Sequence, residues 1–187
     1  LHNHRHFPYL LASGALPTRQ ALETIAQVAQ AIQYAHEAGV IHRDLKPSNI
    51  MIDDEGCVKV MDFGVARVAK DAAVKFSMTN TVMGTPPYMS PEQETGVVRK
   101  EGDVYSMAIC LYEALCGRQP FAGVGAGMLL NKMNMSFVPA TKVVASLPGG
   151  LDAVFAKAFA ADPDKRYASA GEMMKALEAV AAGTAKA

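Results

Sequence analysis

The 187-residue chain has no tryptophan, only three cysteines and no excess of either charge. The missing tryptophan excludes nothing by itself, but the other two shortages narrow the field. Its 18 Lys and Arg balance 18 Asp and Glu, for a formal net charge of +0. No general basic field therefore draws the chain to nucleic acid, and there is no acidic tail. Cys57, Cys110 and Cys116 are odd in number and lack paired ligand spacing. That argues against a disulfide framework and for reduced thiols, with a cytoplasmic setting as the default. No apolar run reaches a membrane-spanning length, and the opening residues do not resemble a signal peptide. Half of the residues are hydrophobic, which excludes wholesale disorder and suits one domain with a real core.

Residues 1–17 carry His2, His4 and His6 on alternate positions. In an extended strand the three would share a face and could ligate a metal. No nearby Cys or carboxylate completes a set, so the reading here is a solvated, partly frayed segment. From Thr18 to Ala38, Leu22, Ile25, Val28, Ala29, Ile32 and Ala35 form one apolar stripe at helical spacing. Thr18 is placed to cap its start and Gly39 its end. Ile50–Ile52 and Val58–Met61 read as strands around an Asp53-Asp54-Glu55-Gly56 turn. A hairpin there brings Asn49 and Asp62 to the same end, as two oxygen ligands of one metal ion require. Residues 65–92 lack sustained periodicity, and a loop of that length is usually functional or disordered. Asp103–Leu115 reads as a buried helix closed by Gly117, apolar nearly all round. Leu151–Ala160 and Ser169–Val180 read as two more, the second opened by a Ser169/Glu172 capping box with Met173, Leu177 and Val180 facing inward. Residues 181–187 are small and read as a frayed tail, leaving 1–180 as the domain.

The most informative stretch is His42-Arg43-Asp44-Leu45-Lys46-Pro47-Ser48-Asn49-Ile50, followed by Asp62-Phe63-Gly64. Phosphoryl transfer asks a protein for positioning and charge neutralisation. It needs a carboxylate beside the attacking hydroxyl, oxygen ligands for magnesium and a cation near the moving phosphate. Asp44, Asn49 with Asp62, and Lys46 are candidates for those three tasks. These motifs, in this order, resemble the catalytic loop and magnesium motif of eukaryotic-type (Hanks-type) Ser/Thr protein kinases, especially the bacterial members. The resemblance continues through Gly84-Thr85-Pro86-Pro87-Tyr88-Met89-Ser90-Pro91-Glu92, similar to the end of an activation segment. It extends to Asp103-Val104-Tyr105-Ser106 and to Arg166. The fold implied is protein-kinase-like α+β: a mainly α-helical C-lobe with short β-hairpins, the N-lobe absent from this chain.

By resemblance, Asp44 would accept or orient the proton of a substrate hydroxyl, and Lys46 would steady the transferring phosphate. A lysine at that position goes with Ser/Thr specificity. Asn49 and Asp62 would hold Mg2+, with Mn2+ an alternative, and Met51 would lie beneath the adenine of ATP. Thr85 would support Asp44 and Lys46. His42 would pack under Phe63 and bond backbone, Glu92 and Arg166 would form a buried ion pair, and Asp103 would brace the His42-Arg43 turn. Arg43 would pair with a phosphorylated Ser77, Thr79 or Thr81 and so order the loop.

The sequence departs from the family in Tyr105, Ala108 and Ser90, where Trp, Gly and Ala are common. None of these changes removes a charge or a ligand. The larger departure is that no Gly-rich phosphate loop or strand lysine is present. The Gly123–Gly127 cluster lacks the G-x-G-x-x-G spacing and reads as a flexible turn before a helix. The expectation is a C-lobe inactive alone, acting on a protein substrate with ATP in its parent. The face around Met51, Phe63 and the first helix would be open to self-association. The alternatives are a non-catalytic kinase-like scaffolding module and, more weakly, a small-molecule kinase.

Overall fold

The computed structural model describes residues 5–11, 14–63 and 85–184. Ser77, Thr79 and Thr81 lie outside the described residues, as do His2, His4, Gly64 and Gly84. The elements run β1 Arg5–His6, α1 Phe7–Leu11, α2 Thr18–Glu37, β2 Ile50–Ile52, β3 Val58–Val60, α3 Pro91–Glu94 and α4 Lys100–Cys116. They continue with α5 Gly125–Met133, α6 Ala140–Val143, α7 Gly150–Ala158 and α8 Ala170–Thr184.

Helix α4 is the axis. Its residues are buried on every side from Glu101 to Leu115 except Glu113, and α2, α6, α7 and α8 pack around it. Aromatic rings fill the space between α4 and α7. Tyr105 and Phe121 meet Phe159 edge-on at 5.5 and 5.3 Å, and Phe155 meets Tyr112 at 5.2 Å. Gly117 ends α4 with φ +66°, its N–H donating to Glu113 O at 2.8 Å. A side chain there would strain the left-handed backbone and bring its Cβ within 3.3 Å of Ala15 N. Gly117→Ala is therefore expected to lower stability by about 1–2 kcal/mol, read by urea unfolding.

The α2 stripe is buried as its spacing predicts: Ile25, Val28 and Ile32 are fully covered. At its end, the N–H groups of Gly39 and Val40 reach back to His36 O (3.0 Å) and Ala35 O (2.8 Å). This is the paired closure that a left-handed glycine allows, and Gly39 has φ +76°. Its start differs from expectation. Pro17 occupies the cap position without a side-chain bond, and Thr18 is the first helical residue.

Strands β2 and β3 pair antiparallel with Ile50 opposite Val60. Asp53 fixes their turn, its carboxylate accepting from Glu55 N (3.0 Å) and Cys57 N (2.8 Å). The Gln27 side chain ties the hairpin to α2, donating to Gly56 O at 3.0 Å and accepting from Val58 N at 2.9 Å. The opening segment is partly packed where it is described, although Ala15 and Pro17 are exposed. β1 adds to β2 as a third strand, and Phe7 is wholly buried.

Three other boundaries differ. Helix α4 begins at Lys100, because Arg99 bonds Glu101 at 3.1 Å and Gly102 fits tightly against Ser90. Gly125 and Gly127 belong to the first turn of α5, not to a free turn. Helix α8 continues to Thr184, four residues beyond Val180. Its capping box is present in shifted form. Ser169 Oγ accepts from Glu172 N at 3.1 Å, and Glu172 returns a bond to Ala168 N at 3.1 Å. Met51 and Phe63 are half-buried. The strongly exposed large apolar side chains among the described residues are Tyr34 on α2, and Val97, Val124, Leu130 and Met133 away from it.

Candidate active site

The loop from His42 to Asn49 is held from below by α4. Asp103, buried near the start of that helix, accepts from His42 N at 2.8 Å and Arg43 N at 2.9 Å, and its Oδ2 lies 2.7 Å from His36 Nε2. One carboxylate thus satisfies two consecutive backbone N–H groups. That makes tolerable the left-handed Arg43 (φ +69°), a conformation a non-glycine residue adopts only when its surroundings impose it. The Gln93 side chain bonds the Arg43 carbonyl. His42 is fully buried, its Nε2 2.8 Å from Met61 O and its ring edge-on to Phe63 at 4.8 Å. The histidine therefore links the loop to the chain just past β3.

Above this base stands a triangle of polar groups. Lys46 Nζ lies 3.0 Å from Asp44 Oδ2 and donates to Thr85 Oγ1 at 2.8 Å. The Thr85 hydroxyl in turn reaches Asp44 Oδ1 at 3.3 Å. Both charged side chains keep about a quarter of their surface open, 24% for Lys46 and 27% for Asp44. The carboxylate is oriented without being sealed, as a group that must meet a reactant requires. Beside Lys46 and Thr85 opens a cavity of about 430 Å3 lined also by Pro8, Leu11, Ser48, Tyr88 and Glu113. Tyr88 Oη donates to Glu113 at 2.7 Å. Burial, then that carboxylate, push the phenol well above its ordinary range, so it stays a donor.

Asn49 sits at the mouth of the hairpin. Its amide N–H donates to Asp44 O at 2.9 Å, which leaves the oxygen end of the amide as the one able to ligate a cation. Across the hairpin, Met61 N donates to Asn49 O at 2.8 Å, so Asp62 emerges at the same end. Asp62 is exposed and left-handed, φ +59°. Two hard oxygen donors from opposite strands, one an amide and one a carboxylate, fit a magnesium-like ion better than a thiophilic one. Met51 lies on β2 between buried Ile50 and Ile52.

Glu92 and Arg166 face each other with two parallel bonds, Nη1 to Oε1 and Nη2 to Oε2, both 2.7 Å. Sequence reasoning missed three further ties into this segment: Gln93 to Arg43, Tyr88 to Glu113, and a fully buried Lys132. A signal for Lys132 was available. It stands one helical turn after Met128, on the buried face of a helix whose only other strongly polar side chain is Asn131.

Residues 1–177 match the protein kinase domain family, and the chain belongs to it. It is 42% identical over 174 residues to the serine/threonine-protein kinase PknB of Mycolicibacterium smegmatis, a match covering 92% of this chain and 28% of that protein. It is 43% identical over 162 residues to a probable serine/threonine-protein kinase PknB of Bifidobacterium longum, covering 86% and 24% respectively. Against the serine/threonine-protein kinase PrkC of Bacillus subtilis the identity is 38% over 167 residues, covering 88% and 26%. The chain thus spans about a quarter of the length of these relatives. The family works with ATP and a divalent metal. No helix among the described residues is long and apolar enough to cross a membrane.

Proposed function

We propose that the protein carrying this chain is a Ser/Thr protein kinase, transferring the γ-phosphate of ATP to protein hydroxyls in the cytoplasm, where ATP is plentiful. The observation that carries the proposal is the Asp44–Lys46–Thr85 triangle standing next to the Asn49–Asp62 end of the hairpin. Asp44 orients the acceptor hydroxyl and takes up its proton. Lys46, already neutralised in part by Asp44, lies where charge on a transferring group needs a counter-ion. Asn49 and Asp62 hold Mg2+, with Mn2+ a workable substitute. The bound ion neutralises the phosphate oxygens. Met51 offers an apolar floor to the adenine. The cavity beside Lys46 and Thr85 takes the acceptor segment, and Glu113 at its wall favours a basic residue there. Arg43 remains the proposed partner of a phosphorylated loop residue.

The test is label transfer from ATP to a generic basic protein, followed by phosphoamino-acid analysis. Phosphoserine and phosphothreonine are expected, with none of the label on tyrosine. Asp62→Asn is expected to raise the cation concentration giving half-maximal rate by about ten-fold or more. No transfer by the wild type would favour the alternative, a kinase-like binding module without catalysis.

A further inference from the structure

Among the described residues Lys132 is the only fully buried lysine. Its ammonium has three N–H donors and three acceptors: Pro86 O at 2.5 Å, Met89 O at 2.8 Å and Glu94 Oε1 at 2.5 Å. All three acceptors belong to the stretch that starts at Thr85 and ends with α3. On the same helix Leu130 and Met133 stand exposed, and Met128 is the other buried residue. Helix α5 is therefore fastened to the fold by Met128 in the core, by Asn131 bonded to Ala122 O at 3.0 Å, and by this cation, which alone of the three binds the 85–94 stretch.

Holding two elements together does not need a buried charge, because a hydrophobic residue of similar volume generally does so as well or better. What an ammonium adds is direction. Lys132 grips the carbonyls of Pro86 and Met89, and Ser106 Oγ takes the Tyr88 carbonyl between them at 2.7 Å. Pro86–Tyr88 forms a single 3-10 turn, its backbone bonds running from Tyr88 N to Thr85 O (2.9 Å) and Met89 N to Pro86 O (3.2 Å), and side chains of α4 and α5 orient that turn on the domain. Thr85, the residue immediately before, is the one that touches both Asp44 and Lys46. At the other end Gln93 bonds the Arg43 carbonyl.

We infer that Lys132 is a positioning residue: through Pro86, Met89 and Glu94 it fixes the bed on which the protein acceptor lies, and leaves ATP binding untouched. The inference rests on the kinase reading and assigns one side of its substrate selection to a residue outside every motif. Lys132→Met removes the three bonds but strands Glu94. The pair Lys132→Met with Glu94→Met removes the bonds and strands no charge.

In the active protein, both variants are expected to raise KM for a protein acceptor about ten-fold or more while KM for ATP stays within about two-fold. The double variant is expected to melt near the wild type. Amide exchange at Tyr88, Met89, Gln93 and Glu94 should quicken in both. If the double variant regains the wild-type acceptor KM, or KM for ATP rises in step, Lys132 merely balances Glu94 and the inference is wrong. Should the wild type transfer no phosphate, the kinase reading fails by itself. The exchange measurement then decides, and unchanged exchange across 85–94 overturns the role of Lys132.

Discussion

Asp44→Asn is expected to cut phosphate transfer by about 10²–10⁴-fold, with ATP affinity and melting temperature close to the wild type. The substitution preserves shape, and with the amide oxygen toward Lys46 its NH2 can donate to the Thr85 hydroxyl, so the triangle can stay assembled. Two properties are lost. An amide cannot take up the proton of an attacking hydroxyl, and the negative charge 3.0 Å from Lys46 Nζ disappears. The residue is about a quarter exposed and no neighbour depends on its charge for burial, so folding should not suffer. Initial rates at saturating ATP, paired with nucleotide titration and thermal melting, separate these effects. A variant retaining activity within a few-fold would remove Asp44 from the chemistry and leave the family resemblance without its central role.

The clustering of the candidate site was legible because each task the family resemblance implies admits few residue types. Asp44, Lys46, Asn49 and Asp62 stand within one loop-and-hairpin stretch of the chain, and the antiparallel register of Ile50 with Val60 follows from a short polar turn. The α2 stripe was legible for a similar local reason, since a three-and-four spacing buries one face whatever it packs against. What escaped was settled by partners far away in sequence. The two-residue β1 has no periodicity to read and exists only because β2 offers it an edge. The first turn of α4 reads as Lys-Glu-Gly, a loop composition. It becomes helical because Glu101 is covered by Arg99 and Gly102 lies against Ser90. Lys132 belongs to the same class: its acceptors are more than 35 positions earlier, and only the folded chain brings them together.

Arg166→Met should destabilise the fold by about 3–5 kcal/mol at neutral pH, a large share of a domain's total. Five N–H donors of the buried guanidinium meet five acceptors. Nε bonds Ala160 O at 2.7 Å, and Nη1 bonds Glu92 Oε1 at 2.7 Å and Glu101 O at 3.3 Å. Nη2 bonds Glu92 Oε2 at 2.7 Å and Ala161 O at 3.1 Å. The plane also lies 4.8 Å from the centre of the Tyr105 ring. Methionine can fill the volume but leaves Glu92 as an unpaired carboxylate that is nearly buried. The pH dependence identifies that mechanism. Burial pushes Glu92 up, and in the wild type the Arg166 guanidinium overcomes it and holds the carboxyl below its ordinary 4.5. The wild-type pair therefore contributes fully above that value, and its contribution fades as pH falls through the lowered one. In the variant burial is opposed only by the lesser Ser90 and backbone hydrogen bonds, so the folded carboxyl is pushed up from 4.5. Its penalty is complete at neutral pH and disappears in acid as Glu92 takes up a proton. The gap between the two proteins in urea unfolding should thus be widest near pH 7, begin to shrink as pH falls through the variant's raised value, and go on shrinking below about pH 4.5 as the wild-type pair is lost. Arg166→Lys should recover little, because one ammonium cannot reproduce the parallel pair of bonds or reach all five acceptors. A gap below 1 kcal/mol, or one that does not change with pH, would mean the ion pair is incidental to how the 85–94 segment is held on the domain.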